Sequence, residues 1–317
     1  SSSQSGPAVT RRVVIAGAMS AAAAIGLGRA GVFAQSATPQ PGTGTGMVDL
    51  SGLPELKVTI TDQEAKLSAQ SVPAGLVVLT VENQTKDGTG AGVLGPGPGQ
   101  TMQDLQNAAA TPTPSNGFPP FFYTATILGG PGSVAPGKSE RTIIEIKEGD
   151  WVVFTEGNQP PAFFSATAGT PKAGAAPVPT VEITEVDFAF GGFATLIPAG
   201  QQVWKVTNVG TEPHMLVLGQ VPAGTTLEQV TAAAGRPDNA TPEPGGLSRS
   251  DFQDRGGVIL QSSGTTCWPV LDLPPGRYAA LCFVSDPVHG MIPHAMEGMI
   301  AVFDVGGSGQ PSGTPAA

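Results

Sequence analysis

Three histidines, His214, His289 and His294, and two cysteines, Cys267 and Cys282, are the chain's whole supply of imidazole and thiol, and all five fall after residue 210. Four of its seven methionines, Met215, Met291, Met296 and Met299, accompany them. Imidazole, thiolate and thioether are the donors that soft and borderline transition metals select, and thioethers favour the cuprous ion. Two ordinary roles compete for the same residues. Methionines also pad apolar loops, and a pair of cysteines also serves as a structural disulfide.

Donors this far apart in sequence need a scaffold to bring them together, and the sequence shows one used twice. LKVTITDQEAKLSAQSVPAG (56–75) aligns without gaps on VEITEVDFAFGGFATLIPAG (181–200), an offset of 125 that continues through Asn83 and Asn208 to GQTMQDL and GTTLEQV. ERTIIEIKEGDWVVFT (140–155) matches TCWPVLDLPPGRYAALC (266–282) at an offset of 127, around Gly149 and Gly276. Within each copy, apolar residues alternate over short Val-, Ile- and Thr-rich runs separated by Pro and Gly, which predicts an all-β antiparallel sandwich. Thr101-x-x-Asp104 and Thr225-x-x-Glu228 have the form of capping boxes and predict one short helix per copy. The polar, Pro-rich stretch 234–256 reads as a surface loop. The duplication places domains at 53–170 and 179–305. Projection between copies puts Thr89 opposite His214 and Thr155 opposite Cys282, so the first copy lacks metal ligands at those positions.

Asn208-x5-His214, Gly276-x-Tyr278-x3-Cys282 and His294-x3-Gly298-Met299 leading into Val302 and Val305 resemble the plastocyanin-like blue-copper family, the cupredoxins, over about residues 180–305. The resemblance implies two tandem Greek-key β-sandwiches. It further implies one copper ion in the second, held by His214, Cys282, His294 and Met299. Two imidazoles and a thiolate in a trigonal array with a weak axial thioether suit copper cycling between two oxidation states. Eleven residues separate Cys282 from His294, more than the family uses, and the intact His-x3-Gly-Met pattern puts the extra length before His294. His289 and Met296 are the less favoured donors.

Other readings of the same residues stay open. If the runs flanking Pro274-Pro275-Gly276 form a hairpin, Cys267 and Cys282 face each other and a disulfide competes for Cys282. The molecule would then be a metal-free exported structural or binding sandwich. A third reading is a cuprous chaperone that uses His214-Met215 and His294-x-Met296 alone.

Composition narrows the classes further. With 44 Gly and 31 Pro in 317 residues, long helices are excluded. A net charge of −10 argues against nucleic acid as a partner. No Gly-x-Ser-x-Gly elbow and no phosphate-binding loop is present, so a redox carrier is expected rather than a catalyst. Arg11-Arg12 followed by the uncharged run 13–28, which is shorter than the ~20 residues of a membrane span, resembles a twin-arginine export signal ending after Ala34. A periplasmic, cell-surface or secreted location follows, with membrane contact only through a retained signal. Residues 35–52 read as a flexible linker and 306–317 as a disordered tail. The expected partners are a redox protein or a copper donor or acceptor.

Overall fold

The computed structural model describes residues 48–109, 119–157, 159–169, 175–194, 196–236, 242–285, 290 and 292–306. The segment read as an export signal, most of that read as linker, residues beyond 306, and His289 lie outside them. No helix among the described residues is long and apolar enough to cross a membrane.

The first repeat runs β1 (Glu55–Ile60), β2 (Ala65–Leu67), β3 (Ser71–Pro73), β4 (Gly75–Asn83), β5 (Ala91–Gly95), α1 (Met102–Ala109), a 3-10 turn (Pro120–Tyr123), β6 (Thr126–Ile127), β7 (Ser139–Ile146), β8 (Gly149–Thr155) and β9 (Ala162–Thr167). The second runs β10 (Val181–Val186), β11 (Ala189–Gly191), β12 (Leu196–Pro198), β13 (Gly200–Asn208), β14 (His214–Val221), α2 (Leu227–Ala234), a 3-10 turn (Arg249–Asp251), β15 (Gln253–Gln261), β16 (Thr266–Leu273), β17 (Gly276–Leu281), a 3-10 turn (His294–Glu297) and β18 (Ile300–Gly306). The architecture is all-β, and the sequence offsets carry β4 onto β13 and β7 onto β16 without a gap.

Each repeat is a two-sheet β-sandwich, with the chain passing repeatedly between its two sheets. One five-stranded sheet is ordered β3-β9-β8-β5-β6 and its counterpart β12-β18-β17-β14-β15. The other sheets of the two sandwiches fuse into one of eight strands, β11-β10-β13-β16-β7-β4-β1-β2. Strand alternation is plain in β10, whose Val181, Ile183 and Glu185 face inward while Glu182, Thr184 and Val186 face out.

Three expectations need correction. The sheets are mixed rather than antiparallel throughout, because β1 pairs in parallel with β4, and β10 with β13. The crossover that a parallel pair requires is supplied by β3 and β12, which visit the opposite sheet on the way. The Pro274-Pro275-Gly276 turn is not a hairpin: β16 belongs to the eight-stranded sheet and β17 to a five-stranded one, so the chain changes layers there. Gly276 at φ 155° and its counterpart Gly149 at φ 139° make that change in a conformation that side chains rarely adopt. Finally, the end of the segment read as linker is packed. Val48 and Leu50, with Leu53 just past the linker, lie on the outer face of the fused sheet, against Val78, Val203, Trp268 and their neighbours.

The helices follow their caps. Thr101 and Asp104 cap α1 reciprocally, the Thr101 hydroxyl accepting from Asp104 N–H at 3.2 Å and Asp104 Oδ2 accepting from Thr101 N–H at 2.8 Å. In α2 the box sits one residue later than expected, between Thr226 and Gln229. Thr225 is buried instead, its N–H bound to Pro222 O.

The junction between repeats has its own symmetry. In the β7–β16 ladder Trp268 pairs with Ile143 and Val270 with Arg141. At the offset of 127, Trp268 is the counterpart of Arg141 and Val270 that of Ile143, so each pairing appears in both directions, as in an isologous dimer. Near the other layer, Pro131 bridges Val258, again a residue and its own counterpart.

Candidate metal centre

His214 opens β14, Cys282 follows β17, His294 opens a 3-10 turn and Met299 precedes β18, so one end of the second sandwich gathers all four residues. All four side chains are fully buried. Asn208 builds the first loop. Its amide donates to Glu212 O at 2.7 Å and Gln261 O at 3.0 Å, and its oxygen accepts from Gly210 N–H at 2.9 Å. The chain is thereby turned back so that His214 enters the strand facing inward.

The long connection from Cys282 to His294 closes on itself. His294 N–H donates to Val284 O and Ala295 N–H to Cys282 O, both at 2.8 Å, and Ser285 bridges Pro293. Ser285 and Pro293 are thereby held side by side, and His294 is delivered beside Cys282 despite the spacing. Gly298, at φ 117°, ends the turn in the left-handed region and sends Met299 inward.

His214, Cys282 and His294 form a group of three potential metal ligands. His214 Nδ1 is 3.1 Å from His294 Nδ1, and Cys282 Sγ is 3.6 Å from His294 Nδ1 and 3.9 Å from His214 Nδ1. The point equidistant from these three donors lies about 2.1 Å from each, within the range of ~2.0–2.3 Å typical of nitrogen and sulfur bonds to a divalent metal such as zinc.

The opposite side of each ring meets a carboxylate. His214 Nε2 lies 3.2 Å from Asp187 Oδ1, and His294 Nε2 lies 3.1 Å from Glu212 Oε2. With Nε2 protonated on each ring, His214 donates to Asp187 Oδ1, His294 faces Glu212 Oε2 at ion-pair distance, and both Nδ1 lone pairs are directed at the same small space. Two nitrogens 3.1 Å apart share either a proton, as a hydrogen bond between the rings, or a metal ion. Burial, followed by the nearby His294, lowers the His214 pKa to about 4 against the opposing pull of Asp187, so His214 is neutral near pH 7. Burial drives the Cys282 thiol far upward despite N–H groups from Met215 and Val284. Its thiolate accordingly requires a bound cation, and binding releases the proton. The donor set fits copper: two neutral imidazoles, one sulfur that ionises on binding, and a nearby thioether residue.

Both cysteines are free, which removes the disulfide reading. The cause is the layer change at Gly276. Cys267 lies inside the fused sheet with its Sγ 3.5 Å from Gln261 Oε1, whereas Cys282 packs in another apolar cluster with Met215 and Met299. Met296 is 40% exposed and sits against Gly235.

Several residues at the site have no signature in sequence. Asp187 is fixed by Thr211 through its N–H and hydroxyl and by Glu212 N–H. Those hydrogen bonds keep its carboxyl ionised below the ordinary range although burial works against them. Phe188 turns at φ 64°, unusual for an aromatic residue, and sets its ring edge-on to His294 with centroids 5.1 Å apart. Glu185 is wholly buried with neither carboxyl oxygen hydrogen-bonded, and burial raises its pKa to about 8. The first repeat also reaches the site. Phe121, Phe122 and Phe154 share one apolar cluster with Cys282, Val284 and Met299, and the Tyr123 hydroxyl donates to Ser285 O.

No family model matches this chain, and no curated protein matches it. Solved structures do. An auracyanin from Roseiflexus castenholzii shares 18% identity, with a TM-score of 0.26, over 39% of this chain and 94% of that one. Auracyanin A from Chloroflexus aurantiacus, titled a "blue" copper protein, shares 17% with a TM-score of 0.24, over 39% and 95%. A copper nitrite reductase from Nitrosomonas europaea shares 12% with a TM-score of 0.23, over 80% of this chain and 93% of that one. At these values the likeness does not bear on chemistry, which rests on the His-Cys-His group itself.

Proposed function

We propose that the protein binds one copper ion in its second sandwich and carries single electrons, or holds copper, outside the cytoplasm. The observation that carries this reading is the convergence of two lone-pair nitrogens and a sulfur on one point, with the far nitrogen of each imidazole against a carboxylate. His214, Cys282 and His294 would hold the ion, with Met299 as a weaker fourth donor. Copper bound there would supply one-electron chemistry by alternating between its cupric and cuprous states.

The chain's own part is to fix the donors and keep water away. His214 is anchored through β14 and the Asn208 loop, while His294 and Cys282 are locked to each other through backbone hydrogen bonds. A rigid sandwich imposes one arrangement on both oxidation states, which keeps the reorganisation that accompanies electron transfer small. Full burial of the donors favours passage of an electron over binding of a substrate, so we read the protein as a carrier rather than an enzyme. Export rests on the twin-arginine pattern alone. The test is metal analysis with an absorption spectrum of protein obtained by its native route. One copper per chain and an intense visible thiolate-to-copper band are expected; copper without that band, or none bound, defeats the blue-copper reading.

A further inference from the structure

β10 and β11 form a hairpin whose last pair, Val186 with Ala189, leaves Asp187 and Phe188 as a two-residue turn. Phe188 sits there at φ 64°, and no other non-glycine among the described residues has a positive φ. Glycine takes that conformation freely, whereas a bulky side chain makes it strained. The first repeat shows that the hairpin does not require it. Ile60 pairs with Ala65 as their counterparts Glu185 and Phe190 pair, Thr61 N–H donates to Glu64 O at 2.9 Å, and the turn between, Asp62-Gln63, has no positive φ. The strain therefore goes with the placing of the Phe188 ring.

The turn is seated on both segments that deliver imidazoles. Asp187 accepts from the N–H and hydroxyl of Thr211 and from Glu212 N–H, just ahead of His214. The Phe188 ring stands edge-on to His294 with centroids 5.1 Å apart, and a Cβ on Gly298, which ends the His294 turn, would lie 3.4 Å from Phe188 O. Phe188 is half-buried and His294 behind it is 0% exposed, whereas Gln63, the counterpart of Phe188, lies in solvent.

We propose that Phe188 is a positioning residue that latches the donor group shut. Its ring closes the group to water and solutes, and its release lets the backbone relax to a negative φ and opens the way by which a metal ion enters or leaves. Strain in the closed form lowers the cost of that local opening, so the centre is sealed yet able to exchange its ion. The identity of the ion rests on the copper reading above; the latch itself is read in the metal-free protein.

The test is alkylation of metal-free protein by iodoacetamide, with each thiol followed separately by peptide mass spectrometry and its rate scaled to that in the urea-unfolded chain. Cys282 lies in the donor group, and Cys267, inside the fused sheet, reports wider opening. In the parent, Cys282 is expected to react at least about tenfold faster than Cys267, because local opening costs less than global opening; equal rates overturn the inference without any variant. Phe188→Gly relieves the strained φ and removes the ring, and should speed Cys282 about tenfold while Cys267 stays within about twofold of its parent rate. Phe188→Tyr, which keeps the ring, should restore the parent rate. A Cys282 rate in Phe188→Gly within about twofold of the parent's, or an equal rise at both thiols, overturns the inference. With copper loaded, transfer from Phe188→Gly to a chromogenic cuprous chelator should also be about tenfold faster at the parent's stoichiometry. A parent protein that binds no copper defeats the copper reading, while the two thiol rates still decide the latch.

Discussion

In the first repeat, the Asn83 amide donates to Asp87 O and Val134 O, each at 2.7 Å, and its oxygen accepts from Thr85 N–H at 2.8 Å. Asn208 does the same work in the second repeat with Glu212, Gln261 and Gly210. The loop is thus common to both sandwiches and what it presents is not. Where the second has Cys282, the first has Thr155, whose hydroxyl donates to Gln159 Oε1 at 2.9 Å, while Gln159 Nε2 donates to Thr61 O at 2.8 Å. One amide side chain spans the space between two strands and makes that end of the fold self-sufficient. The second repeat instead gathers two imidazole nitrogens and a sulfur around one small space. Acidic residues at the positions of Asp187 and Glu212 persist in the first copy as Asp62 and Asp87, so the carboxylates alone do not make a centre.

The largest effect expected from breaking this contrast is at the sulfur. Cys282→Ser should abolish the visible band and reduce copper retention more than a hundredfold, read by metal analysis after dialysis; Thr155→Ser in the first repeat should leave both unchanged. A cuprous site built from histidine and methionine alone would survive the cysteine change.

Next comes the buried acid. Glu185 occupies the position of Ile60, and exchanging them in each direction tests what that carboxyl costs. Ile60→Glu should destabilise by several kcal/mol, of order 3–5, because no partner awaits the new group. Glu185→Ile should raise stability near neutral pH, as read by denaturant titration. The pH dependence has a definite sign. Below the usual carboxyl pKa, Glu185 is protonated in both folded and unfolded chains and costs nothing in ionisation. As pH rises toward its folded value of about 8, the unfolded chain ionises first and stability falls, levelling off above that value. Glu185→Gln should remove this share of the slope. Glu140 and Glu156, raised to about 8 and about 7 by burial and then by Asp254, supply other shares and should persist.

Smaller effects follow at the contacts that differ least. Tyr123→Phe removes one hydrogen bond between the first repeat and Ser285, and should cost about 1 kcal/mol while broadening or shifting the copper band. Thr226→Ala removes the cap of α2 and should cost about 1 kcal/mol with no spectral change, which separates loss of stability from disturbance of the centre.

Much of this architecture could be read from the residues in order. The repeat offsets correspond to paired strands because side-chain alternation and turn glycines are local properties. Thr101 and Asp104 cap their helix as three-residue spacing dictates. The Asn208-to-His214 interval was informative about the loop, but Asn83 shows that it reports scaffold rather than metal. Long-range matters were illegible. Whether Cys267 faces Cys282 depends on which layer the chain joins after Gly276, and two prolines and a glycine fit either outcome. The carboxylates were hidden because Asp187, just past β10 of the eight-stranded sheet, meets His214 of β14 in the other sheet only once the two layers pack, and nothing in Val-Asp-Phe distinguishes an acid behind a ligand from one in solvent. Tyr123 and Ser285 lie 162 residues apart, and their contact follows from the junction between repeats.

The fused eight-stranded sheet has a consequence for how the molecule comes into being. During synthesis β7 emerges long before β16, and until that partner arrives its edge displays unpaired amides and carbonyls to any passing strand. Release of the first half alone, by truncation or by proteolysis between the repeats, would leave the same edge bare and invite swapping with a neighbouring molecule's β16. Maturation should therefore behave as a single cooperative event whose slow step is the late meeting of distant strands, and cutting the chain at its midpoint should yield oligomers rather than two soluble modules.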